Sequence, residues 1–376
     1  MAGPLSGIRI IEFAGIGPGP FCGMMLADHG AEVIRIERPG GLVLPNDPLA
    51  RSRRSIRINT KMPEGVALVR ELVKKSDGVI EGFRPGVMER MGLGPDVLLA
   101  DNPRLVYGRM TGWGQYGPYA SAAGHDINYI ALSGALHTCA RQGGQPTPPV
   151  NYLGDFGGGG MMLAFGMVSA LLAVKTGGAG QVIDCAMTDG SALLMSMVWG
   201  LYSAGLWQDQ PGVNRLDSGA PYYDTYQTSD GKWVAIGAIE PQFYALLRSR
   251  IGLEADPDFD AQNDPSVWPR LKEKLAALFR TRSRDEWCEI LETTDACFAP
   301  VLSLAEAPRH PHNVARETFI ELDGVTQPAP APRYSVTKTD RPRAGGAPGA
   351  HTDEVLTRLG YDEDRIRALR QASIVG

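Results

Sequence analysis

Apolar and polar positions alternate in short runs along the first third of the chain, and apolar residues recur at helical spacing between those runs. Ile8-Arg9-Ile10-Ile11-Glu12-Phe13 predicts a strand, the loop Ala14 to Pro20 follows, and Phe21 to His29 predicts a helix. A second strand is expected over Ala31 to Glu37, ending at Arg38-Pro39-Gly40. Strand, helix and strand in this order make a βαβ unit, so the sheet begins parallel. The pattern repeats with Ser55 to Asn59 extended, Gly65 to Lys75 helical and Gly78 to Glu81 a strand. Leu105 to Met110 reads as a further buried strand. A doubly wound α/β domain is expected.

The patterning changes after Gln181. Gln181 to Cys185 leads into a long apolar helical stretch, Thr188 to Leu206. Tyr223 to Thr228 and Lys232 to Ile236 then alternate around Ser229-Asp230-Gly231, a hairpin turn signal. Helices are expected over Pro241 to Ile251 and Pro265 to Arg280, which completes a smaller α+β domain. Pro/Ala-rich Gln327 to Pro332 and Gly-rich Ala344 to Gly349 read as extended linkers, and a last helical piece, Thr352 to Ala372, is expected to dock back on the first domain. The expected boundaries are 1–186 for the large domain, 187–220 for a helical linker, 221–326 for the small domain and 327–376 for the returning segment.

Bulk properties narrow the class. A chain of 376 residues is long for one core, and 43% hydrophobic with 21% charged residues is globular. A net charge of -5 argues against nucleic acid as partner. The five cysteines are scattered without ligand spacing, and His310-Pro311-His312 has no third ligand beside it, so neither disulfides nor a metal is expected. The first residues alternate rather than forming a basic-then-apolar leader, and the last four, Ser373-Ile374-Val375-Gly376, differ from a Ser-Lys-Leu address. The apolar run Met161 to Val174 is shorter than a bilayer span and reads as a buried helix. These features set the expectation of a cytoplasmic protein with no membrane span.

Gly15-Ile16-Gly17-Pro18-Gly19-Pro20 sits after the first strand, where a dinucleotide fingerprint would lie. Its spacing fails: the third glycine would fall on Pro20 or Cys22. Pro18 and Pro20 also remove N–H donors that a phosphate cradle needs. The loop is therefore read as rigid and closely packed.

Positive charge gathers near the expected strand ends. Arg38, Arg84 and Arg90 each stand beside a strand terminus or a Pro/Gly turn, where ligands of open parallel sheets bind, and would suit a phosphorylated carrier. Arg51, Arg53, Arg54, Arg57 and Lys61 are readable either that way or as a solvated face. Gly124-His125-Asp126 precedes an apolar-periodic segment, and Gly154-Asp155 precedes a run of glycines. His125 and Asp155 thus fall at helix starts, where unpaired N–H groups can hold a negative oxygen. A base and an acid working on opposite faces of one carbon need such a pair within hydrogen-bond reach of it. Glu240, before Pro241, is placed to orient His125 and favour its charged form. Each of the three is also readable as a structural histidine or a helix-start carboxylate.

Pro4 to Arg9, Arg84-Pro85-Gly86, Met110 to Gln115, Gly154-Asp155, Gly237 to Glu240 and His351 to Leu356 together resemble the family III CoA-transferase superfamily. Within it, Gly124-His125-Asp126-Ile127-Asn128-Tyr129 is similar to the α-methylacyl-CoA racemase branch. The resemblance implies a Rossmann-like large domain with a smaller α+β domain, in an interlocked homodimer with active sites shared between subunits. It implies CoA as a substrate carrier and no separate cofactor. Arg38, Asn59, Thr60, Lys61, Gly82, Phe83, Arg84, Arg90 and Met110 would then lie along CoA, and Gly124, Asp126 and Tyr129 beside the thioester. His125, Asp155 and Glu240 would be the catalytic set for a 1,1-proton transfer at C2 of a 2-methylacyl-CoA, through an enolate. Two other readings stay open: a CoA transferase using Asp155 as nucleophile, and a silent acyl-CoA-binding protein.

Overall fold

The computed structural model describes residues 2–38 and 47–376, so the Pro39-Gly40 stop expected after the second strand lies outside the described residues. The chain folds as two compact units. The larger comprises Met1–Ser133, Val150–Leu194 and Glu317–Gly376, and the smaller Gly134–Pro149 and Met195–Arg316. The chain therefore enters the smaller unit twice, where the expected boundaries gave a helical linker over 187–220 and a single small domain over 221–326.

In the larger unit, β1 (Arg9–Phe13), β2 (Glu32–Glu37), β3 (Arg54–Arg57), β4 (Gly78–Glu81), β5 (Val106–Thr111) and β6 (Gln181–Ala186) form one sheet in the order β3-β2-β1-β4-β5-β6. Every neighbouring pair is parallel. β6 is the sixth strand of this sheet, paired with β5. Side chains alternate between the two faces because the strand repeat is two. Ile11, Phe13, Ile34, Ile36 and Val79 pack on one side with the helix Pro63–Lys74 and the C-terminal helices. Ile10, Val33, Ile80 and Val106 pack on the other with the helices Pro18–Asp28 and Met162–Lys175. The last helical piece does dock on this unit, through Val355, Leu356 and Ile366. It is broken into Thr352–Leu359 and Glu363–Gln371 at Gly360, whose φ is +99°.

Two arginines of the cluster near residue 50 are neither solvated nor free for a ligand. Arg51 is buried and pairs with Asp28, while its Nη1 donates to Gln327 Oε1 at 3.0 Å and to the Pro328 carbonyl at 2.6 Å. Arg53 is buried against Glu12. Gln327 and Pro328 belong to a hairpin, β10 with β11 (Phe319–Leu322 and Val325–Pro328), where the composition suggested an extended linker.

The smaller unit carries an antiparallel sheet of β7 (Tyr223–Gln227), β8 (Trp233–Gly237) and β9 (Phe298–Val301) in that order. Its hairpin turns where expected: the Thr228 N–H donates to the Lys232 carbonyl and Gly231 takes φ +76°. Helices Pro241–Arg250, Trp268–Phe279 and Arg284–Leu291 cover it over a core that includes Tyr222, Phe259, Phe279 and Trp287. The stretch expected as one helix over Thr188 to Leu206 is two, Met187–Leu194 and Ser196–Ser203, divided between the units at Met195.

The run before β6 is longer than its apolar core suggested. Tyr152–Met161 is a π-helix continuing into Met162–Lys175, giving 24 helical residues that meet the length and apolarity of a bilayer span. Half of the apolar window is buried inside the fold, as in the core helix of an α/β unit. Its glycines let neighbours approach closely: a Cβ on Gly158 would meet the Ser191 nitrogen at 2.6 Å, and one on Gly190 would run into the Gly158 carbonyl. Alanine at position 190 would gain about 1 kcal/mol of helix propensity, but overpacking against backbone costs about 1–3 kcal/mol or more. Gly190→Ala is therefore expected to lower Tm, by roughly 2–4 °C per kcal/mol lost; a thermal melt with unchanged or raised Tm would contradict this packing.

Candidate active site

Crossovers leave β1 and β4 toward opposite faces of the sheet, which opens a crevice at their carboxyl ends. Two cavities of the larger unit lie there. The first, of about 890 Å³, is lined by Phe13 and the loop Ala14–Pro20 after β1, by Gly82 to Pro85 after β4, and by Met110 and Thr111 at the end of β5 with Gly112 and Trp113 beyond it. Gly124, His125, Asn128, Tyr129, Asn151, Asp155 and Met187 are also part of its wall. The second, of about 880 Å³, is lined by Asn59, Thr60 and Lys61 after β3, with Val87, Arg90 and Met91. Phe13, Ala14, Arg38 and Phe83 line both. Phe13 and Phe83 meet edge to face at that shared wall, 6.1 Å between centroids.

His125 and Asp155 therefore face one cavity. His125 is the exposed residue just before the short helix Asp126–Leu132. Its extended backbone (φ −133°, ψ 175°) is held by an N–H donated to Asn128 Oδ1 at 3.0 Å. The Tyr129 hydroxyl donates to the Gly124 carbonyl, and Cβ atoms on Gly112 or Gly124 would collide with its ring, so glycine at both positions lets Tyr129 brace the residue before His125. Trp113 packs edge-on against the same ring at 4.8 Å.

Asp155 lies in the π-helical turn, half-buried. Burial raises its pKa above the ordinary carboxylate value; a hydrogen bond from Asn151 opposes this, the Asp126 charge adds to it and His125 opposes it. Asn151 Nδ2 donates to Asp155 Oδ2 at 3.1 Å, and the Asp155 N–H donates to Asp126 Oδ1 at 2.7 Å. Gly17 (φ +70°) comes close enough that a Cβ there would stand 3.3 Å from Asp155 Oδ2. The Gly15–Pro20 loop, read from sequence as merely packed, is thus a wall of the site. Burial raises the Tyr129 pKa, the Asp155 charge adds to that, and Arg84 opposes it.

The arginine-bearing loop after β4 is fixed from below. Buried Glu81 accepts from the Phe83 N–H at 2.7 Å and from Arg109 Nε at 2.9 Å, and Arg109 Nη1 donates to Glu89. Among the described residues Arg38, Arg84 and Arg90 enter no ion pair, which leaves their charge at the cavities.

All the residues expected along a carrier (Arg38, Asn59, Thr60, Lys61, Gly82, Phe83, Arg84, Arg90 and Met110) line one or both cavities. So do Gly124 and Tyr129. Asp126 lines neither; it is buried behind Asp155. Glu240 belongs to the smaller unit, exposed at the start of the helix Pro241–Arg250, where its carbonyl accepts from the Tyr244 N–H at 2.9 Å. Ile16 and Met187 also line the first cavity, while Met195 and Leu206 lie in the smaller unit. Sequence reasoning missed Asn151. Its signal was an amide four residues before a candidate acid, one helical turn away.

The model of CoA-transferase family III matches residues 5–352. Alpha-methylacyl-CoA racemase of Mus musculus is 46% identical over 374 residues, 99% of this chain and 97% of that protein. Alpha-methylacyl-CoA racemase of Homo sapiens is 44% identical over 378 residues, again 99% and 97%. Among solved structures, a CAIB/BAIF family protein from Brucella suis superposes with a TM-score of 0.82 at 26% identity, covering 96% of this chain and all of that one.

The Asn151 hydrogen bond favours the charged form of Asp155. Asn151→Ala is therefore expected to move the Asp155 titration to higher pH, read by carbon NMR of its carboxyl group. A move to lower pH, or none, would show that the amide does not act on Asp155.

Proposed function

The chain belongs to CoA-transferase family III, and on that premise we propose that it is a racemase of 2-methylacyl-CoA thioesters, an isomerase that moves a proton at C2 through an enolate. The observation that carries the reading is that His125 and Asp155 line one cavity, at the carboxyl edge of the sheet, beside Arg38 and Arg84. The racemase relatives at 44% and 46% identity support the same reaction class.

One of the two residues takes the α-proton while the other returns a proton to the opposite face, and the roles exchange with the hand of the substrate. The raised pKa of Asp155 suits this exchange, because a carboxyl whose neutral form is favoured by burial can give a proton as well as take one. The thioester oxygen gathers charge in the enolate and would be held by peptide N–H groups near Asp126, at a helix start that leaves such groups without intrahelical acceptors. CoA would lie with its thioester in the first cavity and its nucleotide by Asn59, Thr60 and Lys61, with Arg38, Arg84 and Arg90 on the phosphates. An interlocked homodimer is part of the proposal, with the partner subunit's Glu240 pairing His125. Support for it comes from the apolar stripe Phe165, Val168 and Leu172, exposed by 72%, 40% and 64% on the single chain.

In deuterated water, a 2-methylacyl-CoA should take up deuterium at C2 without any carboxylate acceptor. His125→Ala and Asp155→Ala should each lower racemisation by at least ~100-fold, the smaller end of acid–base contributions. Near-normal racemisation in either variant would sink the assignment. Exchange that needs an acceptor acid would instead indicate a transferase, and CoA binding without either reaction a silent binder.

A further inference from the structure

The residue that follows His125 in the chain also holds Asp155. Asp126 is 6% exposed, and its Oδ1 accepts the Asp155 peptide N–H at 2.7 Å. Asp155 stands in the first turn of the π-helix, whose opening bond runs from the Phe156 N–H to the Asn151 carbonyl. N–H groups of a first turn lack intrahelical acceptors, so Asp126 supplies one from another element. Gly154 makes the approach possible, since a Cβ there would collide with Asp126 Oδ1. Asp126 Oδ2 is shielded and has no hydrogen-bond partner, an arrangement that normally costs free energy. The 24-residue helical run offsets part of that cost, because its N-terminal dipole end favours a negative charge beside it.

We infer that the Asp126 side chain is a positioning residue for Asp155, linking the two proton carriers by one peptide bond on the His125 side and one short hydrogen bond on the Asp155 side. The inference rests on the racemase reading and deepens it. The spacing of the two carriers is then set by the backbone and a buried carboxylate rather than by contacts of the carriers with each other. A misplacement of about 1 Å can cost ~100-fold in rate, so the brace matters for turnover and not for binding of the carrier. The brace acts on Asp155 alone, because His125 is held separately through Asn128 and Gly124. The titratable groups facing Asp155 are His125, Asp126 and Tyr129. The other elements packed on the π-helix present Gly17, Pro18, Phe21, Met187 and Ser191, which do not titrate, and Cys185, whose Sγ donates to the Gly159 carbonyl at 3.8 Å and whose pKa burial pushes up to about 12.

The test compares deuterium uptake from each enantiomer of a 2-methylacyl-CoA in full-length enzyme. His125→Ala and Asp155→Ala identify which enantiomer each residue deprotonates. Asp126→Ala is expected to repeat the Asp155→Ala pattern in weaker form, a kcat loss of about 10- to 100-fold for the same enantiomer with KM little changed. Asp126→Asn keeps an oxygen acceptor and should recover most of that loss. Equal losses for both enantiomers, no loss, or an Asn variant as impaired as the Ala variant would overturn the inference. Carbon NMR of the Asp155 carboxyl gives a readout that needs neither activity nor the Ala variant. With the neighbouring negative charge removed in Asp126→Asn, the Asp155 titration should move to lower pH, and an unmoved titration would overturn the inference. If the wild-type enzyme exchanges no deuterium, the racemase reading fails instead, while the NMR arm still decides whether Asp126 acts on Asp155.

Discussion

β1 and β4 are neighbours in the sheet, yet the chain must leave them toward opposite faces, and the rest of the larger unit depends on that constraint. A parallel sheet covered on both faces needs crossovers on both, and where their direction reverses the carboxyl edge cannot be closed by a helix. The loops after β1, β4 and β5 border this gap, and His125 and Asp155 are brought to it from the long crossover between β5 and β6. The cavity is thus a consequence of strand order, and the loops determine which chemical groups it holds.

Keeping those loops in shape requires charges inside the fold. Glu12 on β1 is fully buried and faces Arg53 and Arg35, and Arg53 also donates to the Pro20 carbonyl at 3.2 Å. Arg35 reaches the Gly15 carbonyl at 3.4 Å. The two ends of the Gly15–Pro20 wall are therefore tied to one buried carboxylate. Removing one partner of such a group strands a charge at a cost of roughly 3–5 kcal/mol. Glu81 holds the Phe83–Arg84 loop in the same way, through its bond to the Phe83 N–H. Burial raises the pKa of both Glu12 and Glu81 against the pull of their arginines. Small glycine contacts complete the frame, with Gly158 and Gly190 letting two helical segments touch backbone to backbone.

The Asp155 carboxyl likewise sets burial against neighbouring charge. Asp155 is half-buried, its charge opposed by desolvation and by Asp126 and favoured by Asn151 and His125. Placing it in a π turn lets its N–H donate to a carboxylate outside the helix, which a regular α-helix interior would not.

The strands β1 to β5, the first βαβ units and the hairpin at Ser229 to Gly231 were legible in the chain itself, and so were His125 and Asp155 as candidates, which line one cavity. Hydrophobic period, turn residues and helix-start signals act over a few residues, so they survive without knowledge of the fold. The arginines near residue 50 were not legible. Arg51 and Arg53 look like surface charge until β3 and the hairpin β10–β11 bring Asp28, Gln327 and Glu12 to them. Nor could spacing show that Asp126 turns its carboxylate to Asp155, that Asn151 does likewise with its amide, or that 134–149 joins the smaller unit. The sequence by itself determined which segments form elements and which residue types could carry a proton. Only the tertiary structure decided which charges face the cavity and which are buried in pairs, because partners distant in the chain are chosen by strand order and packing, not by local pattern.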